Sequence, residues 1–235
     1  MAREIAVVVG VGPGLGWALT KRFAEAGMQV IAAAREPSKL GLLVDADAKL
    51  GVRLEACDVA QPQEVARLFE TVEKNLGQPS LVVFNAGVYE PGGILEIKPE
   101  AFERCWRVGC FGGFLVGQAA ARAMIAAGAG TIIFTGATAS LRGSAGFANL
   151  AAPKFGLRAI AQSMARELGS KGIHVAHVII DGQIESERSR PLLSQRGPMS
   201  HLPPEAIAET YYQLHRQPRG AWTHELDVRP WVEKF

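Results

Sequence analysis

The stretch EIAVVVGVGPGLGWALTKRF, residues 4–23, decides the fold. After Glu4 it opens with an unbroken valine-rich apolar run, the composition of a strand buried on both faces. GVGPGLG, Gly10 to Gly16, follows directly and opens a helical stretch placed at 15–27. Glycines at a strand-to-helix turn let the backbone approach an anionic group, such as a pyrophosphate, which then rests on the helix N-terminus. Gly10, Gly12, Gly14, Leu15 and Gly16 are therefore the first candidate cofactor-binding residues.

Outward from this turn, short β-branched runs alternate with helical stretches. Strands are expected at 4–9, 29–34, 52–56, 80–85, 130–135 and 173–180, and helices at 15–27, 38–50, 62–76, 99–127, 147–169 and 203–215. That alternation predicts an α/β fold, a three-layer, doubly wound parallel sheet of Rossmann type. No repeat or linker divides residues 1–235, so a single domain is expected. Residues 183–202 are polar, dotted with proline and aperiodic, the composition of a substrate-side loop or lid. Residues 203–235 read as a C-terminal extension whose tryptophans pack on the domain or on a second subunit.

A formal net charge of +2 without a basic stripe gives no electrostatic case for nucleic acid or membrane partners. No run is expected to reach the length of a membrane span, and the N-terminus lacks a signal-peptide pattern. Three cysteines, Cys57, Cys105 and Cys110, are an odd number without metal-ligand spacing. They fit core residues in a reducing compartment, and the chain is expected to be cytoplasmic with no metal site.

The second strand ends AAAREPSKL. A dinucleotide fold reads the adenosine ribose about twenty residues past the glycine turn, with Asp/Glu for a free 2′-hydroxyl or Arg for a 2′-phosphate. The acidic position is Ala34, with Arg35 beside it, and a guanidinium forks onto phosphate oxygens. The expected cofactor is NADP(H), NADPH over NADH. Glu36 could instead serve a ribose or pair with Lys39.

With Val9-Gly10, Gly14 and Gly16 at the first turn, Asp58-Val59 after the third strand and Asn85-Ala86-Gly87 after the fourth, the chain resembles the short-chain dehydrogenase/reductase family up to about Ser186. The resemblance implies a nicotinamide dinucleotide bound at these motifs, with Asp58-Val59 at the adenine, in a homodimer or homotetramer built on the long helices. It also implies a Tyr-x-x-x-Lys pair, an upstream serine and an asparagine in the preceding helix. Of these four positions only Lys154 is kept, for contact with the cofactor ribose. Leu150 stands at the tyrosine, Ala137 at the serine and Gly109 at the asparagine.

Loss of a positioned acid/base costs about 10²–10⁴-fold, so another group must move the proton or the protein is no conventional ketone reductase. Tyr89, just beyond the Asn85-Ala86-Gly87 turn, is the favoured substitute. Thr138 restores a hydroxyl one residue from the lost serine. Asp181 replaces the family's proline after the sixth strand, where it could bind the carboxamide, act as a base or cap the next turn. Arg142 could anchor an acidic substrate or make a surface pair. His174 and His177, on opposite faces of one strand, read as buried, hydrogen-bonded residues. Phe147, Leu150, Ala151, Lys154 and Arg158 share a helix face by their spacing, and the resemblance implies that this face looks into the cofactor cleft.

Two functions follow. The first is an NADP(H)-dependent oxidoreductase with a displaced proton donor. The alternative is a non-catalytic dinucleotide-binding protein acting as a sensor or assembly partner. A module that has lost the cofactor is disfavoured, because the glycine turn, Asp58, Asn85-Ala86-Gly87 and Lys154 all remain. The tail lacks the family's aspartate-glycine-glycine ending, which leaves the usual last strand and its subunit contact without a sequence signal.

Overall fold

Apolar runs without alternation become the central strands, because only a sheet covered on both faces buries every residue of such a run. The computed structural model describes residues 3–186, 189 and 200–233. Its strands are β1 (Ile5–Val9), β2 (Gln29–Ala34), β3 (Arg53–Ala56), β4 (Leu81–Phe84), β5 (Gly130–Thr135), β6 (Ile173–Ile180), β7 (Gln183–Ile184), β8 (His201–Leu202) and β9 (Glu225–Val228). Seven of them form one parallel sheet in the order β3-β2-β1-β4-β5-β6-β9. The order reverses direction between β1 and β4, where doubly wound sheets open a crevice at the carboxyl ends of their strands.

Side chains of β1 alternate between two cores. Val7 and Val9 meet α3 (Pro62–Asn75), α5 (Gly112–Ile125) and α6 (Ala148–Leu168) through Leu68, Phe69, Val116 and Leu157. Ala6 and Val8 meet α1 (Leu15–Glu25) and α7 (Pro204–His215) through Leu19, Phe23, Ile207 and Tyr211. Three layers result, as the sequence pattern implies.

Four expectations change. The helix expected over 38–50 is broken into a 3₁₀ turn, α2 (Gly41–Ala46) and a second 3₁₀ turn. Asp47 ends α2 because its carboxylate is held by Trp17 Nε1 at 3.2 Å and Lys21 Nζ at 3.3 Å, a tertiary tie no local pattern reveals. The helix expected over 99–127 is α4 (Pro99–Trp106), a π-turn (Arg107–Phe111) and α5. This continuous helix reaches a mean hydropathy of 1.4, enough by length and composition to span a membrane, against the expectation that no run is so long. Its Val116, Ala120 and Met124 are core residues packed against the sheet.

The third change concerns the tail. Residues 225–228 form β9, parallel to β6 with His177 opposite Glu225, so the last strand exists without the family ending. Glu225 explains it, since its carboxylate binds Arg158 at 2.6 and 2.7 Å and His177 Nδ1 at 3.0 Å. Trp222 stacks on His174 at 5.0 Å, packing the tail on the domain. Lastly, the lid expected over 183–202 begins and ends as an ordered pair, β7 against β8. Residues 187, 188 and 190–199 of that expectation lie outside the described residues.

Candidate functional site

The turn after β1 is built around Gly10, whose φ of +91° favours glycine and whose missing side chain lets Ala86 approach. A Cβ at Gly10 would stand 2.4 Å from the Ala86 backbone. Asn85 Nδ2 donates to the Gly10 carbonyl at 3.0 Å, joining the turns after β1 and β4. Gly12 and Gly14, by contrast, face open space: no atom lies within 4 Å of a Cβ built there. Helix α1 starts at Leu15 and Gly16 with no side-chain cap and no acidic residue in its first turn. The Trp17 N–H is taken by the Gly12 and Gly14 carbonyls at 3.0 and 3.1 Å, while the positive end of the dipole, with no cap or acid against it, is left to a ligand. The residues present therefore fit a pyrophosphate.

Around this turn lies a cleft with an empty volume of about 600 Å³, lined by Gly10, Gly12, Ala34, Arg35, Cys57, Val59, Asn85, Ala86 and Gly87 among others. Arg35 is exposed on its border. Glu36 is paired with Lys39 at 2.8 Å, which lowers its carboxyl below the usual range. Asp58 accepts the Ala60 N–H at 3.0 Å, and its own N–H donates to Glu64 at 2.9 Å. Its neighbours Cys57 and Val59 line the cleft. Burial, then the Glu64 and Asp58 carboxylates, push the Cys57 thiol up to about 12, so it is an inert wall.

Lys154 is 8% exposed. Its Nζ donates to the Thr135 carbonyl at the end of β5 at 2.6 Å. A Cβ on Gly87 would stand 4.0 Å from Nζ, which places the ammonium beside the Asn85–Gly87 turn. Burial alone lowers its pKa to about 8.

The structure brings Thr138 and Asp181 together but away from substrate duty. Thr138 Oγ1 donates to Asp181 Oδ1 at 2.5 Å, and Arg229 lies 3.2 Å from the other Asp181 oxygen while holding Asp227 at 2.6 Å. A hydroxyl committed to a carboxylate has no proton left for a substrate carbonyl. Tyr89 is a rim residue, 37% exposed, stacked on Phe147 at 5.0 Å, with its hydroxyl donating to the Gly146 carbonyl at 3.1 Å. Arg142 is exposed on the loop before α6. Among the described residues no three His, Cys, Asp or Glu side chains converge as metal ligands.

Two features were missed in the sequence. Pro153 lies inside α6, and a Cβ on Gly109 would meet it at 3.0 Å, so the π-turn and the proline are packed face to face. Ser140, His177, Glu225 and Arg158 form a chain that starts buried and ends half-buried: Ser140 Oγ lies 3.4 Å from His177 Nε2, and the His177 ring donates from Nδ1 to Glu225. Burial lowers the His177 pKa to about 4 despite its carboxylate partner, so the ring is neutral near pH 7. Ser140 in turn accepts the Ala137 N–H at 3.1 Å, fixing the turn that carries the lost serine position. The Glu225–Arg158 pairing is separated by 67 residues and leaves no local pattern.

Comparison with known proteins agrees with this geometry. The family model for short chain dehydrogenases matches residues 4–196. The 3-oxoacyl-[acyl-carrier-protein] reductase MabA of Mycobacterium avium is 31% identical over 203 residues, 86% of this chain and 76% of that protein. Its counterpart FabG of Escherichia coli is 30% identical over 189 residues, 80% of this chain and 77% of that one. A short-chain dehydrogenase structure from Rhodopseudomonas palustris superimposes with a TM-score of 0.85 at 40% identity, covering 97% of this chain and 99% of its own. A metagenomic short-chain oxidoreductase in complex with NADP gives a TM-score of 0.85 at 28% identity, covering 99% of each chain. Sheet order, glycine turn and sequence likeness agree: the chain belongs to the short-chain dehydrogenase family of oxidoreductases.

Proposed function

We propose that the protein is an NADP(H)-dependent oxidoreductase whose proton transfer does not use the family's tyrosine. The observation that carries the reading is the open glycine cradle with Arg35 at its border, no acid at Ala34, and Glu36 held by Lys39. The similar metagenomic oxidoreductase binds NADP, which supports the same choice. When bound, the cofactor supplies or takes a hydride. Gly10, Gly12, Gly14, Leu15 and Gly16 hold its pyrophosphate, Arg35 the 2′-phosphate, and Asp58-Val59 with Asn85-Ala86-Gly87 flank the adenosine. Lys154 holds the ribose beside the reacting ring.

Leu150 and the Tyr89–Phe147 stack give the acceptor side an apolar wall. The curated relatives are named for reducing 3-oxoacyl groups. This chain has Ala137 where the family's serine would donate to such a carbonyl, and Thr138 is spent on Asp181. The acceptor class we favour is a quinone, an activated dicarbonyl or an activated C=C bond. Thr138 and Asp181 orient the turn beside it rather than protonate it. The three free thiols, all buried, support a cytoplasmic setting. The exposed Phe114 and Phe155 on the long helices support a homodimer or homotetramer contact.

Arg35→Asp tests the cofactor choice. NADPH affinity should fall about 10–10²-fold, the worth of one or two charge-assisted hydrogen bonds, with NADH affinity little changed. An unchanged NADPH affinity would remove Arg35 from the site. A second reading, a dinucleotide-binding protein without turnover, is favoured by the committed Thr138 hydroxyl and by Leu150. It would be established by tight NADPH binding with no oxidation of the nucleotide by any acceptor of the classes above.

A further inference from the structure

We infer that Lys154 is itself the proton donor of this site, its ammonium serving the acceptor oxygen in place of the phenol that position 150 lacks. The inference rests on the oxidoreductase reading above and names the residue that completes it. Lys154 Nζ lies beside Gly87, a residue of the cleft wall, and makes one hydrogen bond, to the Thr135 carbonyl. Two of its three N–H groups therefore have no protein acceptor among the described residues. Four hydroxyls are spent as donors, Tyr89 on Gly146, Thr138 on Asp181, Ser140 toward His177 and Tyr211 on Thr135 Oγ1, and Thr135 Oγ1 is the acceptor of the last.

Among the described residues no carboxylate is bonded to the ammonium. Of the charged and titratable groups on the elements around it, Glu225 of β9 is held by Arg158 of α6 and by His177 of β6. Asp181, just past β6, is held by Thr138 and Arg229. Tyr211 of α7 reaches only the Thr135 hydroxyl. Burial chiefly, with the Lys154 charge a lesser cause, keeps His177 neutral near pH 7, so that ring does not carry the proton. Burial brings the ammonium to about 8, acidic enough to release a proton and still charged at neutral pH.

The step balances without a further reactant. The acceptor's carbonyl carbon takes the hydride pair of the reduced nicotinamide, its π pair moves to oxygen, and that oxygen takes a proton from Nζ. The nicotinamide is oxidised, the carbonyl is reduced to an alcohol, and the neutral amine regains its proton from water.

The test compares the protein with Lys154→Arg, which keeps a cation that does not deprotonate, and with Lys154→Met, which fits the same channel if the larger guanidinium does not. NADPH binding is measured first, by nucleotide fluorescence. Protein labelled with ε-13C lysine should then show one resonance titrating near pH 8 that both variants lack. With 9,10-phenanthrenequinone as acceptor, the rate of the unmodified protein should fall as pH rises through about 8. Lys154→Arg should lose about 10²–10⁴-fold in rate and lose that limb. A Lys154 resonance titrating near 10.5, a flat profile, or a Lys154→Arg rate close to the original would each overturn the inference, as would loss of the limb in Tyr89→Phe. If NADPH binds but no acceptor is reduced, the inference falls and the non-catalytic reading stands. If NADPH does not bind at all, the oxidoreductase reading falls with it.

Discussion

Lys154 is held beside the cleft wall against its own solvation. A buried ammonium with one hydrogen bond and no carboxylate is destabilising, as the lowering of its pKa by burial expresses. Because the folded value lies below the unfolded one, the penalty is full below about pH 8 and is relieved as pH rises toward 10.5, the ordinary lysine value. Lys154→Met should therefore raise thermal stability at pH 7, by about 1–3 kcal/mol after loss of the bond to Thr135. A lower melting temperature in that variant would show that the lysine supports the fold. The sequence made Lys154 visible through its place in a motif. It hid the burial, and it hid that Thr138 and Asp181, two separate candidates, are bonded to one another, because 43 residues separate them.

At the scale of elements, the lost catalytic positions are linked by packing. Gly109 sits in the π-turn because Pro153 fills the space its side chain would occupy. Leu150→Tyr alone should leave ketone reduction undetected, since Ala137 and Gly109 still lack their polar groups. Gly109→Asn should not help: its Cβ meets Pro153 at 3.0 Å. We expect a loss of about 1–3 kcal/mol from overpacking, measurable by denaturant unfolding, and at least partial recovery in Gly109→Asn with Pro153→Ala. Robust reduction by Leu150→Tyr, or an unperturbed Gly109→Asn, would contradict this. Strands β2, β5 and β6 were legible residue for residue, because buried β-branched runs between turns have little choice. Strand β9 was not. It is half-buried, and what docks it is Glu225 meeting Arg158 and His177, partners that only the folded sheet brings together.

For the whole molecule, that same chain of residues sets the response to acid. Burial lowers His177 to about 4, below the ordinary imidazole value of 6.5, so in between the unfolded chain takes a proton that the folded one refuses. Stability should fall by about 3 kcal/mol as pH drops from 6.5 to 4. Glu225, held low chiefly by Arg158, adds to the loss below about pH 4.5, as its carboxylate is protonated. Urea unfolding at pH 7 and 4.5 measures the slope, and His177→Gln should flatten it. An equally steep slope in that variant would place the acid sensitivity elsewhere. The doubly wound parallel sheet and the glycine cradle followed from the first turn and the strand–helix alternation after it, whereas the strand order β3-β2-β1-β4-β5-β6-β9 is read only from the folded sheet.

Titration of the purified protein with NADPH and NADH, by nucleotide fluorescence checked by calorimetry, tests the central claim most directly. Both should bind saturably, with NADPH about tenfold tighter or more through Arg35. Equal affinities would contradict the assignment of Arg35, and no binding of either nucleotide would contradict the oxidoreductase reading itself.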